Sequence, residues 1–420
     1  MKNIPLKPAE ILLPEKTDMT LWSVVACDQY TSEPSYWEDV SKEVGEAPST
    51  LKLVLPEIYL SGNDEDKRIK NINGTMREYL DSSMLRAYPD SIFFVSRTLR
   101  NGTVRNGLVA AVDLMEYSYE KGSQSLIRAT EGTVLDRIPP RVRVRVNAAL
   151  ELPHVMLLID DEKKSVIEPI ADSIENEQLI YSFPLMQNSG SIKGYRLCEK
   201  SCGKVISAIE RLADRDAFEQ KYTADKGTLL FAVGDGNHSL ASAKAHYEAL
   251  KNSMDEADWL AHPARFALVE IVNLHDDSLQ FEPIHRVVFS ADTKHFRDEL
   301  HKFYSISEDT CEQSFTCILG GQKERFNIQN PSSNLTVGSV QNFLDFYTEN
   351  FGGSVDYIHG ENVVEELAKN ADTIGILLPS MKKNELFPTV IKDGALPRKT
   401  FSMGHACDKR FYLEVRRIIK

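Results

Sequence analysis

The sequence predicts a mixed protein between the α/β and α+β classes, built on a mixed sheet with a smaller C-terminal region. Three observations point there: a hairpin-rich first third, apolar strands alternating with amphipathic helices in the middle, and short elements towards the end. At 420 residues the chain is longer than one ordinary domain. We place a core over residues 1–290 and a smaller α/β domain over 291–420.

The strands come first. Residues 91–98 and 103–114 are rich in β-formers and flank Arg100-Asn101-Gly102, a strong hairpin signal because Asn-Gly tolerates positive φ. Residues 141–146 alternate as Arg-Val-Arg-Val-Arg-Val, the period of a half-buried strand. Residues 155–159, 229–233, 266–272, 287–289 and 373–378 read as buried strands.

Helices fall between them. Residues 34–44 follow Ser32, a plausible cap, and stop at Gly45. Residues 64–85 form a long candidate interrupted by Asn73-Gly74, and 204–219, 239–251, 293–303 and 362–369 are amphipathic. The stretch 187–194 reads as a surface loop, with a lid hinged at Gly190 and Gly194 as the alternative.

A net charge of −13 and a pI near 5.4 argue against nucleic-acid or anionic-membrane binding, which need a broad basic surface. Six cysteines in 420 residues make no disulfide framework, and Cys198-x3-Cys202 lacks a second pair at zinc spacing. The longest apolar runs fall far short of the ~20 residues a membrane helix needs. The opening residues lack an apolar signal core. A reducing cytoplasm is the expected compartment. Oligomeric state is not legible.

One segment concentrates the chemistry. Residues 227–245 read GTLLFAVGDGNHSLASAKA, an apolar strand running through Gly234-Asp235-Gly236-Asn237 directly into a helix. Glycines around a carboxylate let the backbone turn sharply and approach a ligand. The new helix points free N–H groups and its positive end at the turn, which suits a phosphate or carboxylate. Asp235 could hold Mg²⁺ or accept a proton, with His238 and Ser239 in the first helical turn. The same residues also suit a plain tight turn with Asn237 or Ser239 as cap, and the pattern leaves both open. The segment is neither a Walker A loop nor a GxGxxG fingerprint.

Strand–Asp-Gly-x-His–helix resembles the motif of the ParB/sulfiredoxin-like fold, which includes nucleotide-binding partition proteins and free-serine kinases. More closely, the chain resembles domain-of-unknown-function family 1015, whose hallmark here is Asp-Gly-His-His-Arg. The resemblance extends to Ile4-Pro5-Leu6-Lys7-Pro8-Ala9-Glu10-Ile11, to 102–110, to Arg128-Ala129-Thr130-Glu131-Gly132-Thr133, to Glu282-Pro283-Ile284-His285-Arg286 and to Leu396-Pro397-Arg398-Lys399-Thr400. Asn237 stands where that family usually has His, and Ser239 where it has Arg, so this chain either recruits another cation or has changed substrate.

The resemblance implies a ParB/sulfiredoxin-like core and a small anionic substrate. We expect a Mg²⁺-dependent phosphotransferase using ATP or ADP on a small metabolite such as serine or phosphoserine. Asp235 would hold the metal or take the hydroxyl proton, and the amides of Gly236–Ser239 would cradle phosphate together with Gly234. His285, Arg286, Arg398 and Lys399 are candidate phosphate contacts. His238 and Glu131 are candidate acid/base groups, Glu131 standing near Asp136, Arg137 and the arginines of 141–146. A phosphatase or other hydrolase using the same anion site, with His238 or His285 as acid/base, is one alternative. A non-catalytic metabolite or nucleotide binder is another. Tyr30 is a candidate pocket-lining residue, and Cys27 shows no histidine partner in sequence.

Overall fold

A computed structural model describes residues 4–60, 62–132, 136, 138–222 and 226–420. The chain folds into two compact units: Met1–Leu279 together with His405–Lys420, and Gln280–Gly404. The division falls at Leu279/Gln280 rather than after residue 290, and the last 16 residues return to the first unit. No helix of the described residues is long and apolar enough to cross a membrane.

The first unit is built on a ten-stranded mixed sheet. Its spatial order is Gln178–Pro184, Ser191–Arg196, Phe93–Thr98, Val104–Asp113, Phe266–Asn273, Met156–Ile159, Phe231–Asp235, Ile127–Ala129 and Tyr117–Ser118, with Leu6–Lys7 pairing Val104–Asp113. The first five run antiparallel, and the hairpin at Asn101-Gly102 is formed as expected. Parallel pairs join Met156–Ile159 with Phe266–Asn273, Phe231–Asp235 with Ile127–Ala129, and Ile127–Ala129 with Tyr117–Ser118.

Strand alternation divides two cores. Leu108, Ala110, Val112, Val269 and Ile271 pack against Val205 and Ile209 of the helix Glu199–Leu212, and against Leu240, Ala243 and Tyr247 of the helix Asn237–Leu250. The opposite face, with Phe93, Val95, Val109, Ala111 and Leu268, packs against Trp22, Val24, Trp37, Phe411 and Leu413. The C-terminal segment thus belongs to this second layer. Phe411–Tyr412 pairs with Val24–Val25, Arg416–Arg417 with Leu150–Glu151, and Trp22 Nε1 donates to the Leu413 carbonyl at 2.9 Å.

Buried charge fastens that segment. Arg97 donates to the carbonyls of Lys409, Cys407 and Ser189 at 2.9–3.1 Å, and Arg105 to that of Asp408 at 3.0 Å. Arg410 pairs with both Glu270 and Glu414, and Tyr181 donates to Glu414. Gly107 makes room for this, because a Cβ there would lie 2.6 Å from the Glu270 Oε1. Burial pushes the Glu270 carboxyl up, but Arg410 and Arg105 outweigh it and hold it below the usual range.

The second unit carries a seven-stranded antiparallel sheet. Phe281–Phe289 lies between Thr373–Leu377 and Ser354–His359 and contains His285 and Arg286, which the sequence reading placed before the strand. The helices Thr293–Phe303 and Thr336–Phe351 belong to this unit.

Several expectations need correction. Residues 141–146 are helical, within Ile138–Val146, so the arginines do not line a strand face. Pro139 and Pro140 occupy the first helical turn, where their missing N–H groups cost nothing. Each arginine then takes a carboxylate: Arg141 pairs with Glu57, Arg143 with Glu65 and Arg145 with Glu151. The candidate lid at 187–194 is a closed connection between Gln178–Pro184 and Ser191–Arg196, with Gly194 inside a strand against the Tyr181 ring. Residues 204–219 divide into two helices, Glu199–Leu212 and Arg215–Tyr222. Glu33, not Ser32, precedes the helix Pro34–Val44.

Arg410→Met should destabilise the first unit by about 3–5 kcal/mol, since it leaves Glu270 and Glu414 buried without their cation. All three tryptophans lie in this unit, so urea denaturation followed by tryptophan fluorescence reads its unfolding. A lowered carboxyl value stabilises the fold fully above its ordinary value of 4.5, and that contribution is lost as pH falls below it. The wild-type midpoint should therefore fall on the acid side, and less steeply in Arg410→Met.

Candidate functional site

The strand Phe231–Asp235 ends at the turn that the sequence singled out, and the helix Asn237–Leu250 starts directly after it. Gly236 is the N-cap, at φ +80°, a left-handed conformation that costs other residues about 1–2 kcal/mol. No side chain caps this helix. Asp235 Oδ1 accepts from the Gly236 amide at 3.0 Å instead, and the amides of Asn237 and Ser239, like the first ones of any α-helix, have no carbonyl one turn back to bond.

Neighbouring strands fix the turn. Thr130 follows Ile127–Ala129, donates its hydroxyl to the Val233 carbonyl at 2.6 Å, and donates its amide to Asn237 Oδ1 at 3.3 Å. Asn237 is thereby a bracket between strand and helix. Val155 packs beneath Gly236, where an added Cβ would lie 3.0 Å from its Cα.

The C-terminal segment adds two groups that the sequence reading missed. Lys409 Nζ lies 3.1 Å from Asp235 Oδ2, a pair largely shielded from solvent at 13% and 20% side-chain exposure. Tyr412 reaches the buried His154, its hydroxyl 2.7 Å from Nδ1, and donates to Cys27 Sγ. His154 Nε2 lies 3.2 Å from Ser239 Oγ and 3.7 Å from Asp28 Oδ2. Burial would raise the Asp28 carboxyl, but His154, the Gln29 amide and Lys409 hold it below the usual range. Burial and the adjacent Asp28 push the Cys27 thiol up to about 12, so it is protonated at neutral pH.

Beside this network lies a cavity of about 160 Å³. Cys27, His154, Ser239 and Tyr412 contribute its polar groups, with the ion-paired Glu57–Arg141 and Glu151–Arg145, while residues such as Leu53, Met76 and Leu240 make the rest of its wall.

The remaining candidates are distributed as follows. Gly234, Asp235, Gly236, Asn237, His238 and Ser239 come together at the strand–helix junction, and the His238 carbonyl accepts from Ser242 Oγ. Glu131 is half-buried just past Ile127–Ala129, while Thr133 and Arg137 lie outside the described residues. His285, Arg286, Arg398 and Lys399 belong to the second unit. His285 Nδ1 accepts from the Leu378 amide at 3.1 Å, and burial lowers its imidazole value. The buried Arg286 guanidinium donates to the carbonyls of Ile284, Arg398 and Lys399, so its donors already serve the main chain. Arg398 pairs with Asp345, and Lys399 is exposed at φ +54°. Tyr30 stacks on Tyr36 at 3.7 Å.

For a metal, Asp235 offers one carboxylate, whose oxygens already meet the Gly236 amide and Lys409 Nζ, so Mg²⁺ there would take the place of Lys409, with phosphates and waters completing its shell. Among the described residues, metal-like spacing occurs at Asp160, Glu162 and His275. There Lys221 already lies 2.8 Å from Asp160 and 3.1 Å from Glu162. The register puts Asp160 at the opposite strand end from Asp235, because Met156 pairs with Asp235 and the strands run antiparallel.

Comparison with known proteins adds the following. Solved structures that resemble the chain include a free serine kinase in complex with AMP (TM-score 0.37, 11% identity, 73% of this chain and 90% of that one). Others are SbnI with a C-terminal truncation from Staphylococcus aureus (0.35, 9%, 73% and 82%) and a conserved hypothetical protein from Pyrococcus furiosus (0.35, 12%, 73% and 95%). No curated protein matches it by sequence. The model of a family described as "protein of unknown function (DUF1015)" matches residues 6–347, and the chain belongs to that family.

Proposed function

We propose that this protein is a Mg²⁺-dependent phosphotransferase that moves a phosphoryl group between ATP or ADP and a small hydroxylated metabolite. Serine and phosphoserine, the class implied by the sequence resemblance, are the first candidates. The observation that carries the reading is the uncapped start of the helix Asn237–Leu250, flanked by the Asp235–Lys409 pair and adjoined by a small cavity.

The chemistry follows from the parts. First-turn amides and the helix dipole favour phosphate, and Lys409 supplies a positive charge at the same turn. Phosphoryl transfer needs positioning and charge stabilisation more than covalent help. Asp235 would hold Mg²⁺ or take the hydroxyl proton. When bound, Mg²⁺ would neutralise charge developing on the phosphate oxygens. The cavity is near the ~150 Å³ that accommodates benzene, and below the ~300 Å³ at which ligand pockets usually begin. It therefore suits the small acceptor better than a whole nucleotide. The reading does not rest on His285, Arg286, Arg398 or Lys399.

Thermal-shift measurements with ATP, ADP, serine and phosphoserine, each with Mg²⁺, test it. A ligand at ~100 times its Kd should stabilise by ~2.7 kcal/mol. A melting temperature unmoved by all four would overturn the proposal. Lys409→Met should weaken nucleotide binding at least ~10-fold by isothermal titration, matching the ~1.5–3 kcal/mol of a charge-assisted hydrogen bond. Gly236→Ala should lose ~1–2 kcal/mol of stability together with nucleotide binding, since strain and contact with Val155 both move the turn.

A further inference from the structure

The contact between Ser239 and His154 has a geometry that phosphate cradling does not require. Nucleophilic catalysis by a hydroxyl needs a base within hydrogen-bond reach and a third group that orients the base. All three are present. Ser239 Oγ lies 3.2 Å from His154 Nε2, and His154 Nδ1 lies 2.7 Å from the Tyr412 hydroxyl. The base is the tautomer that carries its proton on Nδ1 and donates it to the Tyr412 oxygen, which leaves the Nε2 lone pair facing Ser239. Asp28, 3.7 Å from Nε2, would stabilise the imidazolium formed when Nε2 takes a proton.

We propose that Ser239 and His154 form a nucleophile–base pair that gives this protein an acyl-transfer activity towards short, uncharged acyl esters held in the adjoining cavity. Both residues line the cavity of about 160 Å³, whose apolar wall includes Leu53, Leu55, Met76 and Val144. That wall favours a short acyl chain, and the charged residues around it are already paired with one another. Cys27 shares the cavity, but its Sγ meets the Tyr412 hydroxyl and not His154, so the Ser239 hydroxyl is the nucleophile within reach of the base.

In the step, the Ser239 O–H bond breaks and its proton moves to His154 Nε2. The Oγ–C bond forms, and the negative charge on the former carbonyl oxygen lies at the helix N-terminus, whose amides can stabilise it. The C–O bond to the leaving alcohol then breaks, and that alcohol receives the proton from Nε2. Water, deprotonated by the same nitrogen, releases the acid and restores Ser239. No other reactant enters.

The test uses the full-length protein with phenylmethylsulfonyl fluoride and p-nitrophenyl acetate. We expect one sulfonyl adduct per chain, mapped by mass spectrometry to Ser239, and a nitrophenolate burst stoichiometric with protein. Ser239→Ala should abolish both. His154→Gln should slow labelling ~100-fold or more, as expected on losing a general base. Tyr412→Phe, which removes the group orienting the base, should shift the pH profile of labelling. Absence of an adduct on the folded wild type, or an equal adduct on Ser239→Ala, would overturn the proposal. The wild-type result decides even if a variant fails to fold, and neither outcome depends on nucleotide binding.

Discussion

Three buried arginines hold the C-terminal segment against the sheet of the first unit. Arg97 and Arg105 project from neighbouring strands and donate to main-chain carbonyls of Cys407, Asp408 and Lys409. Arg410 returns the favour from the segment itself, pairing with Glu270 on the sheet. Burying such charges costs several kcal/mol each unless every partner is in place, so the arrangement tolerates little slippage. A shift of one residue would remove Lys409 from Asp235 and Tyr412 from His154. The candidate site therefore depends on a tail about 170 residues beyond its central motif.

Much of the fold was legible because periodicity and turn chemistry agreed with tertiary packing. The helices Pro34–Val44 and Thr293–Phe303 have the limits read from sequence, and the hairpin at Asn101-Gly102 follows from backbone preference. The Arg-Val repeat failed for an identifiable reason. Alternation favoured a strand, but Pro139-Pro140 and three carboxylate partners favour a helix. The helix Thr336–Phe351 has no counterpart in the sequence analysis, although Val337, Val340, Leu344 and Tyr347 bury one face at helical spacing.

The site was half legible. A carboxylate between glycines, ahead of an amphipathic helix, signals a strand–turn–helix by itself. Nothing local to His154, Asp28, Lys409 or Tyr412 marks them, because each reaches the turn through a long-range strand pairing or a buried charge. Cys27 was set aside for want of a histidine, yet Tyr412 links it to His154. The pairing of Phe411–Tyr412 with Val24–Val25 creates that link, and sequence distance conceals it. In the second unit, by contrast, His285-Arg286 and Arg398-Lys399 looked like a ligand site, while much of their hydrogen bonding serves the unit's own main chain.

The central claim is that the start of one helix, assembled with the returning tail, binds an anion. A crystal structure of the protein grown with ADP and Mg²⁺ tests this most directly. A phosphate oxygen within hydrogen-bond distance of the amides of Asn237, His238 or Ser239, with Lys409 turned towards it, is the result our account requires. Nucleotide bound elsewhere, with those amides facing only water and the Asp235–Lys409 pair undisturbed, would contradict it.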